Sequence, residues 1–193
     1  GYSYKAFTNT SGTDTFTYTV TDAKGATDTA TVTMTVVANV PPSGADLVLN
    51  TIEDNAHVFT ASDFGFSDAL DSLPDTFLAV KITTLPPNGT LTTNGVAVSA
   101  GDFVSVADIN AGLLKWTPDA DANGLALASF TFQVQDNGGT LGSGVDLDPT
   151  PNTITFNVAP VNDPPRKTFP VSFGPGVEDM PLLLPALRVA DAV

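Results

Sequence analysis

Side-chain oxygens are the chemistry that this 193-residue sequence offers in quantity. Of its 21 acidic residues, 19 are Asp, and only Glu53 and Glu178 are Glu. The short carboxylate suits turns, and it suits sites where several oxygens surround a hard cation. The composition therefore favours divalent cations as partners. The alternative is a solvated acidic surface that keeps the chain soluble.

One run of possible ligands has a known spacing. Asp119-Ala120-Asp121-Ala122-Asn123-Gly124 matches the opening D-x-D-x-N-G of an EF-hand loop. Position twelve of that loop is Phe130 rather than Glu, so the bidentate closing ligand is missing. The run is therefore interpreted as part of a shared cation site or as a plain Asx turn, not as an EF-hand.

Catalytic groups are scarce by comparison. His57 is the single histidine, and it lies beside Val58 in a predicted short strand, where a structural role is favoured over that of a general base. The two Glu residues occupy equivalent positions in different repeats, which argues against a glycosidase pair. The sequence predicts a protein that is not an enzyme. It has no cysteine, which fits a bacterial surface protein built without disulfides.

The charge balance excludes two classes of partner. Seven basic residues against 21 acidic ones give a formal net charge of −14, which repels nucleic acid phosphates and anionic membranes. No apolar run reaches the length of a membrane span. We therefore expect no nucleic acid partner and no membrane insertion.

Alternating side chains predict short strands throughout the chain. Residues 15–21 place Phe16, Tyr18 and Val20 on one side and threonines on the other, which indicates a half-buried strand. No sustained helical period interrupts the pattern. Many short strands with turn residues between them predict an all-β Greek-key sandwich of roughly seven strands. The same alternation recurs at residues 29–36, 78–82, 130–136 and 154–158.

Two proline-rich stretches divide the chain, because a double proline stops a sheet ladder. We call residues 37–42 the first joint and residues 158–165 the second joint. They predict the tail of one repeat over 1–40, a complete domain over 43–161 and the start of a third repeat over 166–193. The sequence from Phe16 to Asp22 aligns with the sequence from Phe130 to Asp136, so the repeat is about 120 residues long.

The residues around the second joint follow an order that is known from one family. Val134-Gln135-Asp136-Asn137-Gly138 is followed by alternating apolar residues over 154–158 and then by Val161-Asn162-Asp163-Pro164-Pro165. This order resembles the A-x-D-x-G, last strand and D-x-N-D-N-x-P linker of cadherins, in the form found in large bacterial surface and secreted adhesins of the RTX type. The resemblance implies a cadherin-like, immunoglobulin-like β-sandwich with Ca²⁺ held between consecutive domains.

The resemblance also implies calcium ligands. Asp119-Ala120-Asp121 lies where the family has its D-R-E element, and Val40 stands in the first joint where Asp163 stands in the second. The first joint is therefore expected to be the poorer site. The implied ligands of the second joint are Glu53, Asp119, Asp121, Asn162, Asp163 and Asp191, and those left at the first joint are Asp63, Asp68, Asp71 and Asp136.

The sequence and the resemblance together predict a calcium-stiffened spacer and adhesion module of an extracellular or bacterial cell-surface protein. The expected partners are calcium ions, neighbouring repeats, and other copies of the chain or cell-surface polysaccharide. The alternative is a lectin-like module that binds polysaccharide. A cluster of exposed aromatic side chains would favour the lectin, whereas carboxylates confined to the joints would favour the spacer.

Overall fold

The computed structural model of the chain describes residues 11–71, 74–164, 166–168 and 188–190, the last two ranges by their backbone alone. Within these ranges the chain is almost entirely β-structure, with one short helix, α1 (Val106–Asn110). The strands are β1 Gly12–Thr21, β2 Thr27–Val36, β3 Leu47–Ile52, β4 His57–Val58, β5 Phe77–Ile82, β6 Thr90–Thr93, β7 Val96–Ala97, β8 Phe103–Ser105, β9 Leu114–Thr117, β10 Gly124–Asp136, β11 Asn152–Ala159, β12 Arg166–Thr168 and β13 Arg188–Ala190.

Strands β3 to β11 form an immunoglobulin-like β-sandwich, as the sequence predicts. One sheet has the order β3-β11-β10-β5-β8 and the other has the order β4-β9-β6-β7. The first strand, β3, runs parallel to the last strand, β11, while the other pairs in both sheets are antiparallel. The sandwich has nine strands rather than roughly seven. Two of them have only two residues each: β4, which is the short strand predicted around His57, and β7, which is too short for alternation to detect.

Aromatic rings fill the space between the two sheets. Trp116 of β9 stacks on Phe156 of β11, with ring centroids 3.8 Å apart and planes inclined by 16°. Phe59 meets Phe130 edge to face at 5.7 Å. Such pairs contribute about 0.5–1.5 kcal/mol each beyond the area they bury. Among the residues that the structure describes, six aromatic side chains are at most 1% exposed: Phe59, Phe64, Trp116, Phe130, Phe132 and Phe156.

The β1–β2 hairpin repeats the pairing of β10 and β11. Phe16 lies opposite Val32 in the first hairpin, and Phe130 lies opposite Ile154 in the second. The neighbouring pairs also correspond, since Asp14 faces Met34 and Ala128 faces Phe156. The register of the two hairpins therefore agrees with the internal repeat that the sequence predicts. The division into residues 1–40, 43–161 and 166–193 stays a prediction.

The apolar side of the first hairpin is more exposed than the sequence predicts. Phe16, Tyr18 and Val20 are 46%, 47% and 55% exposed, whereas the corresponding residues of β10 are buried. The cause is that β1 and β2 form a sheet of their own, and the described part of the chain provides no second layer for it. Alternation thus identified the strand correctly but not its burial.

The turn before β6 requires glycine at position 89. Gly89 has a φ of +76°, and a Cβ there would overlap the Thr117 carbonyl oxygen and lie 2.8 Å from Trp116 Nε1. We expect Gly89→Ala to destabilise the domain by more than about 1 kcal/mol, measured by urea denaturation. Gly95→Ala is the matched control, because Gly95 has a similar φ of +78° with nothing within 4 Å. Equal losses in the two variants would show that backbone strain, not the overlap, is the cause.

Candidate metal sites

Three carboxylates from separate parts of the chain meet beside the second joint. Asp54, Asp121 and Asp163 each offer an oxygen, and these oxygens all lie within 4.8 Å of one another. The sheet order explains the convergence. The parallel strands β3 and β11 finish at the same end of the sheet. Strand β10 is antiparallel to β11, so it starts at that end. The loops that carry the three residues therefore leave the sandwich at one end.

Glu53 lies beneath this group and connects the segments around it. Its side chain is 2% exposed. Its Oε1 accepts a hydrogen bond from the Val161 backbone N–H at 2.6 Å, and its Oε2 accepts one from Asn123 Nδ2 at 2.8 Å. The buried carboxylate thus links the base of the domain both to the second joint and to the loop before β10.

The electrostatics of this group are unfavourable without a counter-ion. Burial raises the pKa of Asp163, and the neighbouring charges of Asp121, Asp54 and Glu53 raise it further. Carboxylates this close to one another repel while they are ionised. The buried Oδ2 of Asp163 has no hydrogen-bond partner among the described residues. A cation would relieve both the repulsion and the unpaired oxygen.

Two of the three residues in this group have an unusual backbone conformation. Asp54 and Asp121 both adopt left-handed conformations, with φ of +57° and +58°. Asp is among the few residues other than glycine that tolerate this region. The backbone N–H of Asp121 also donates to Asp54 Oδ1 at 3.3 Å, so the two turns are in direct contact.

A second acidic group lies at the opposite end of the domain, beside the first joint. Oxygens of Asp68, Asp71 and Asp75 lie within 4.8 Å of one another, in the loop that precedes β5. Asp136 ends β10 directly opposite Phe77, the first residue of β5. The antiparallel pairing of β10 and β5 therefore places Asp136 at the end of the sheet where this loop leads into β5.

Asn39 of the first joint is held against this second group. Its Nδ2 lies within hydrogen-bonding distance of Asp136 Oδ1 at 2.9 Å, Val145 O at 2.9 Å and Gly139 O at 3.2 Å. The backbone N–H of Val40 donates to the Asp71 carboxylate at 3.1 Å. The first joint is thus bound to the domain by its own polar groups.

The pKa values of this group are also raised. Burial raises the pKa of Asp75, and the charges of Asp68 and Asp71 add to the effect. Burial likewise raises the pKa of Asp136, an effect that hydrogen bonds from the Gly138 N–H and from Asn39 partly offset. Both carboxyls are therefore harder to ionise than in water.

The structure brings together only part of the ligand sets that the sequence predicts. Glu53, Asp121 and Asp163 meet at the second joint, and Asp68, Asp71 and Asp136 lie at the first. Asp119 is exposed and outside the three-carboxylate group, and Asn162 is exposed as well. Asp191 lies outside the described residues. Asp54, Asp75 and Asn39 were missed, because their positions depend on the order of strands in the sheet.

Asp63 has a different role from the one predicted. Its Oδ2 accepts a hydrogen bond from the Thr60 backbone N–H at 2.7 Å and so caps a 3-10 turn over Ala61–Phe64. The same oxygen lies 3.7 Å from His57 Nε2. The spacing Thr60-x-x-Asp63 is a capping box, a signal that the sequence contained.

His57 belongs to the aromatic packing. Its ring meets Phe59 edge to face at a centroid distance of 4.8 Å and Phe156 at 6.3 Å. This setting agrees with the structural role that its sequence context favours.

Among the described residues there is no helix long and apolar enough to cross a membrane.

Comparisons with known proteins give two similarities. The model of a family described as "Bacterial Ig domain" matches residues 1–35, which include the β1–β2 hairpin except its last residue, Val36. A protein of Dictyostelium discoideum, described as "Integrin beta-like protein B", is 31% identical over 137 residues. That match covers 67% of this chain and 6% of the Dictyostelium protein, so the chain spans only a small part of this relative.

Proposed function

We propose that this chain is a non-catalytic, calcium-stiffened tandem repeat module of a bacterial surface or secreted adhesin, where it acts as a spacer and adhesion domain. The immunoglobulin-like sandwich, the match to a bacterial Ig family and the similarity to a protein named as integrin beta-like support a surface role. The cadherin-like order of motifs around the second joint supports the more specific assignment. Extracellular localisation follows from the same proposal.

The observation that carries the proposal is the convergence of Asp54, Asp121 and Asp163 beside the second joint. Calcium takes six to eight oxygen ligands, often from carboxylates, and its coordination geometry is flexible. Three carboxylates, with the Glu53 carboxylate beneath them, form an oxygen-only donor set of the kind that hard cations prefer. The residues present therefore fit calcium.

The proposed ion stiffens the second joint by linking segments that are far apart in sequence. Asp54 follows the first strand of the sandwich, Asp121 precedes β10, and Asp163 lies in the joint itself. An ion that these three residues share would fix the joint to the base of the domain. Without it, mutual repulsion drives the three carboxylates apart. The expected affinity is that of extracellular modules, on the order of 0.1–1 mM.

We expect Asp163→Asn to remove calcium binding at the second joint, measured by calorimetric titration of calcium chloride into the full chain. The calcium-dependent stabilisation of this site, about 2.7 kcal/mol at a hundred times the dissociation constant, should be lost with it. Asp119→Asn is the matched control, because it removes the same charge from an exposed residue outside the group. Equal losses in both variants would point to diffuse charge attraction and would contradict a defined site.

The alternative, a module that binds polysaccharide, has one observation in its favour. Phe16, Tyr18, Val20 and Val32 line a cleft of about 460 Å³ on the β1–β2 hairpin, and Phe16 and Tyr18 are half exposed. Stacking against sugar rings uses such aromatic side chains. The register argues for the other interpretation, because the same positions of β10 lie in the core of the sandwich.

A further inference from the structure

Four asparagines in the described part of the chain are each followed by glycine: Asn88, Asn94, Asn123 and Asn137. In such a pair the glycine nitrogen can attack the side-chain carbonyl carbon of the asparagine, because glycine carries no Cβ to obstruct the approach. The reaction needs a free glycine nitrogen, a free side-chain amide and room for a five-membered ring. The four pairs are alike in sequence, so the structure decides which of them can react.

Hydrogen bonding and strand pairing hold the pair at Asn123, near the second joint. Its Nδ2 donates to Glu53 Oε2 at 2.8 Å, and Glu53 is itself buried. The glycine of the pair, Gly124, is paired with Val158 in the ladder between β10 and β11. Both halves of the pair must therefore leave the domain before they can react.

The pair at Asn137 is held in the same way, near the first joint. Asn137 Oδ1 accepts a hydrogen bond from the Thr76 backbone N–H at 2.7 Å. The nitrogen that would attack, Gly138 N, donates to Asp136 Oδ1 at 2.9 Å. The electrophile and the nucleophile are thus both engaged with other groups.

Tight packing holds the pair at Asn88. Its carbonyl oxygen accepts a hydrogen bond from Trp116 Nε1 at 3.1 Å, and its Oδ1 accepts one from the Asp119 N–H at 3.4 Å. A Cβ on Gly89 would overlap the Thr117 carbonyl oxygen. The turn therefore has no room for the additional ring.

The turn of Asn94 and Gly95 has none of these restraints. It connects β6 to β7, and both of its residues are exposed. Among the described residues, the Asn94 side chain and the Gly95 N–H have no hydrogen-bond partner. Nothing lies within 4 Å of the position of a Cβ on Gly95. Strand β7 is held to β6 by two paired positions, so this turn opens more easily than a turn between core strands.

We infer that Asn94 is a site of spontaneous covalent modification, at which the side-chain amide is lost through attack by the Gly95 nitrogen. The bond from Gly95 N to Asn94 Cγ forms, the Cγ–Nδ2 bond breaks, and the amide nitrogen leaves as ammonia with the proton of the Gly95 N–H. Water then opens the succinimide ring at either carbonyl, which gives aspartate or isoaspartate. The net reaction exchanges an amide for a carboxylate, without oxidation or reduction.

The isoaspartate product alters the β6–β7 turn. It inserts one more carbon into the backbone between Thr93 and Val96, the pair that the turn holds in register. Release of β7 leaves β6 at the edge of its sheet, because the sheet order is β4-β9-β6-β7. Strand β6 has no charged residue, and an uncharged edge strand can pair with another chain. The modification thus changes the surface of the domain without altering a residue of either acidic group.

The test is incubation of the full chain in mildly alkaline buffer, folded in one sample and unfolded in guanidinium chloride in the other, followed by peptide mapping with mass spectrometry. In the unfolded chain the four pairs should react at similar rates. In the folded chain Asn94 should react at least about tenfold faster than each of the other three, because those must first open the contacts that hold them. A folded-to-unfolded rate ratio for Asn94 no higher than that of the other three would overturn the inference.

A variant and a second measurement test the product. Asn94→Gln keeps a neutral amide but would have to form a larger ring, so the folded variant should lose most of the acidic species that accumulates on ion exchange. In the isoaspartate form, hydrogen exchange of the Val98 N–H, which donates to Leu91 O at 3.0 Å, should become faster. Exchange at Val80, in the core strand β5, should not change. Undiminished acidic species in Asn94→Gln would overturn the site, and unchanged exchange at Val98 would overturn the release of β7.

Discussion

Replacing Trp116 by alanine is expected to destabilise the sandwich by about 3–5 kcal/mol, which is the usual cost of deleting a buried aromatic side chain. Trp116 has no exposed surface and stacks on Phe156 of the opposite sheet at 3.8 Å. Its indole N–H also donates to the Asn88 carbonyl oxygen at 3.1 Å. The substitution therefore opens a cavity between the sheets and leaves a carbonyl group without its partner.

Urea denaturation followed by far-ultraviolet circular dichroism measures this effect, because the variant lacks the only tryptophan. Leu125→Ala is the control. Leu125 is 88% exposed, so its truncation should change the free energy of unfolding by less than about 0.5 kcal/mol. A loss below about 1 kcal/mol for Trp116→Ala would mean that this stack does not hold the two sheets together.

The dependence of stability on pH is expected to change sign when calcium is added. Asp75, Asp136 and Asp163 have pKa values raised above the ordinary 3.8, mainly by burial. The folded state without metal therefore binds more protons than the unfolded state between pH 3.8 and the raised pKa values. Stability in this window must increase as the pH falls, because protonation removes buried, mutually repelling charges.

Bound calcium reverses that slope, because a cation favours the ionised form of its ligands and lowers their pKa. Acidification then displaces the ion and removes its stabilisation, about 2.7 kcal/mol per site at a hundred times the dissociation constant. Urea denaturation in metal-free and calcium-containing buffers, at about pH 7 and about pH 5, gives both slopes. Parallel slopes in the two buffers would contradict metal binding by these carboxylates.

The sequence predicted the strands because their side chains alternate. Phe16, Tyr18 and Val20 identified β1, and the similarity of residues 16–22 to residues 130–136 predicted a repeat whose register the structure reproduces. The burial of β1 did not follow from this alternation, because burial depends on a second sheet, and no local pattern contains that information.

The candidate sites were predictable only in part, for a related physical reason. Glu53 and Asp163 were identified through motif order, and the structure places both beside the second joint. Asp54 takes the place of Asp119 in the three-carboxylate group. Asp54 and Asp121 both have left-handed conformations, and the Asp121 backbone N–H donates to the Asp54 carboxylate. The contact between these two turns depends on turn conformation and on β3 lying next to β11. A pattern in a single sequence reveals neither of these features.

The parallel ladder between β3 and β11 has a mechanical consequence. The two strands run in the same direction through six paired positions, from Leu47 opposite Ile154 to Ile52 opposite Ala159. A force that pulls the N-terminal end of β3 and the C-terminal end of β11 apart acts along the strands. It therefore shears all the ladder's hydrogen bonds at once, whereas a hairpin pulled from its open end yields one bond at a time. The domain should accordingly resist stretching through slow forced unfolding.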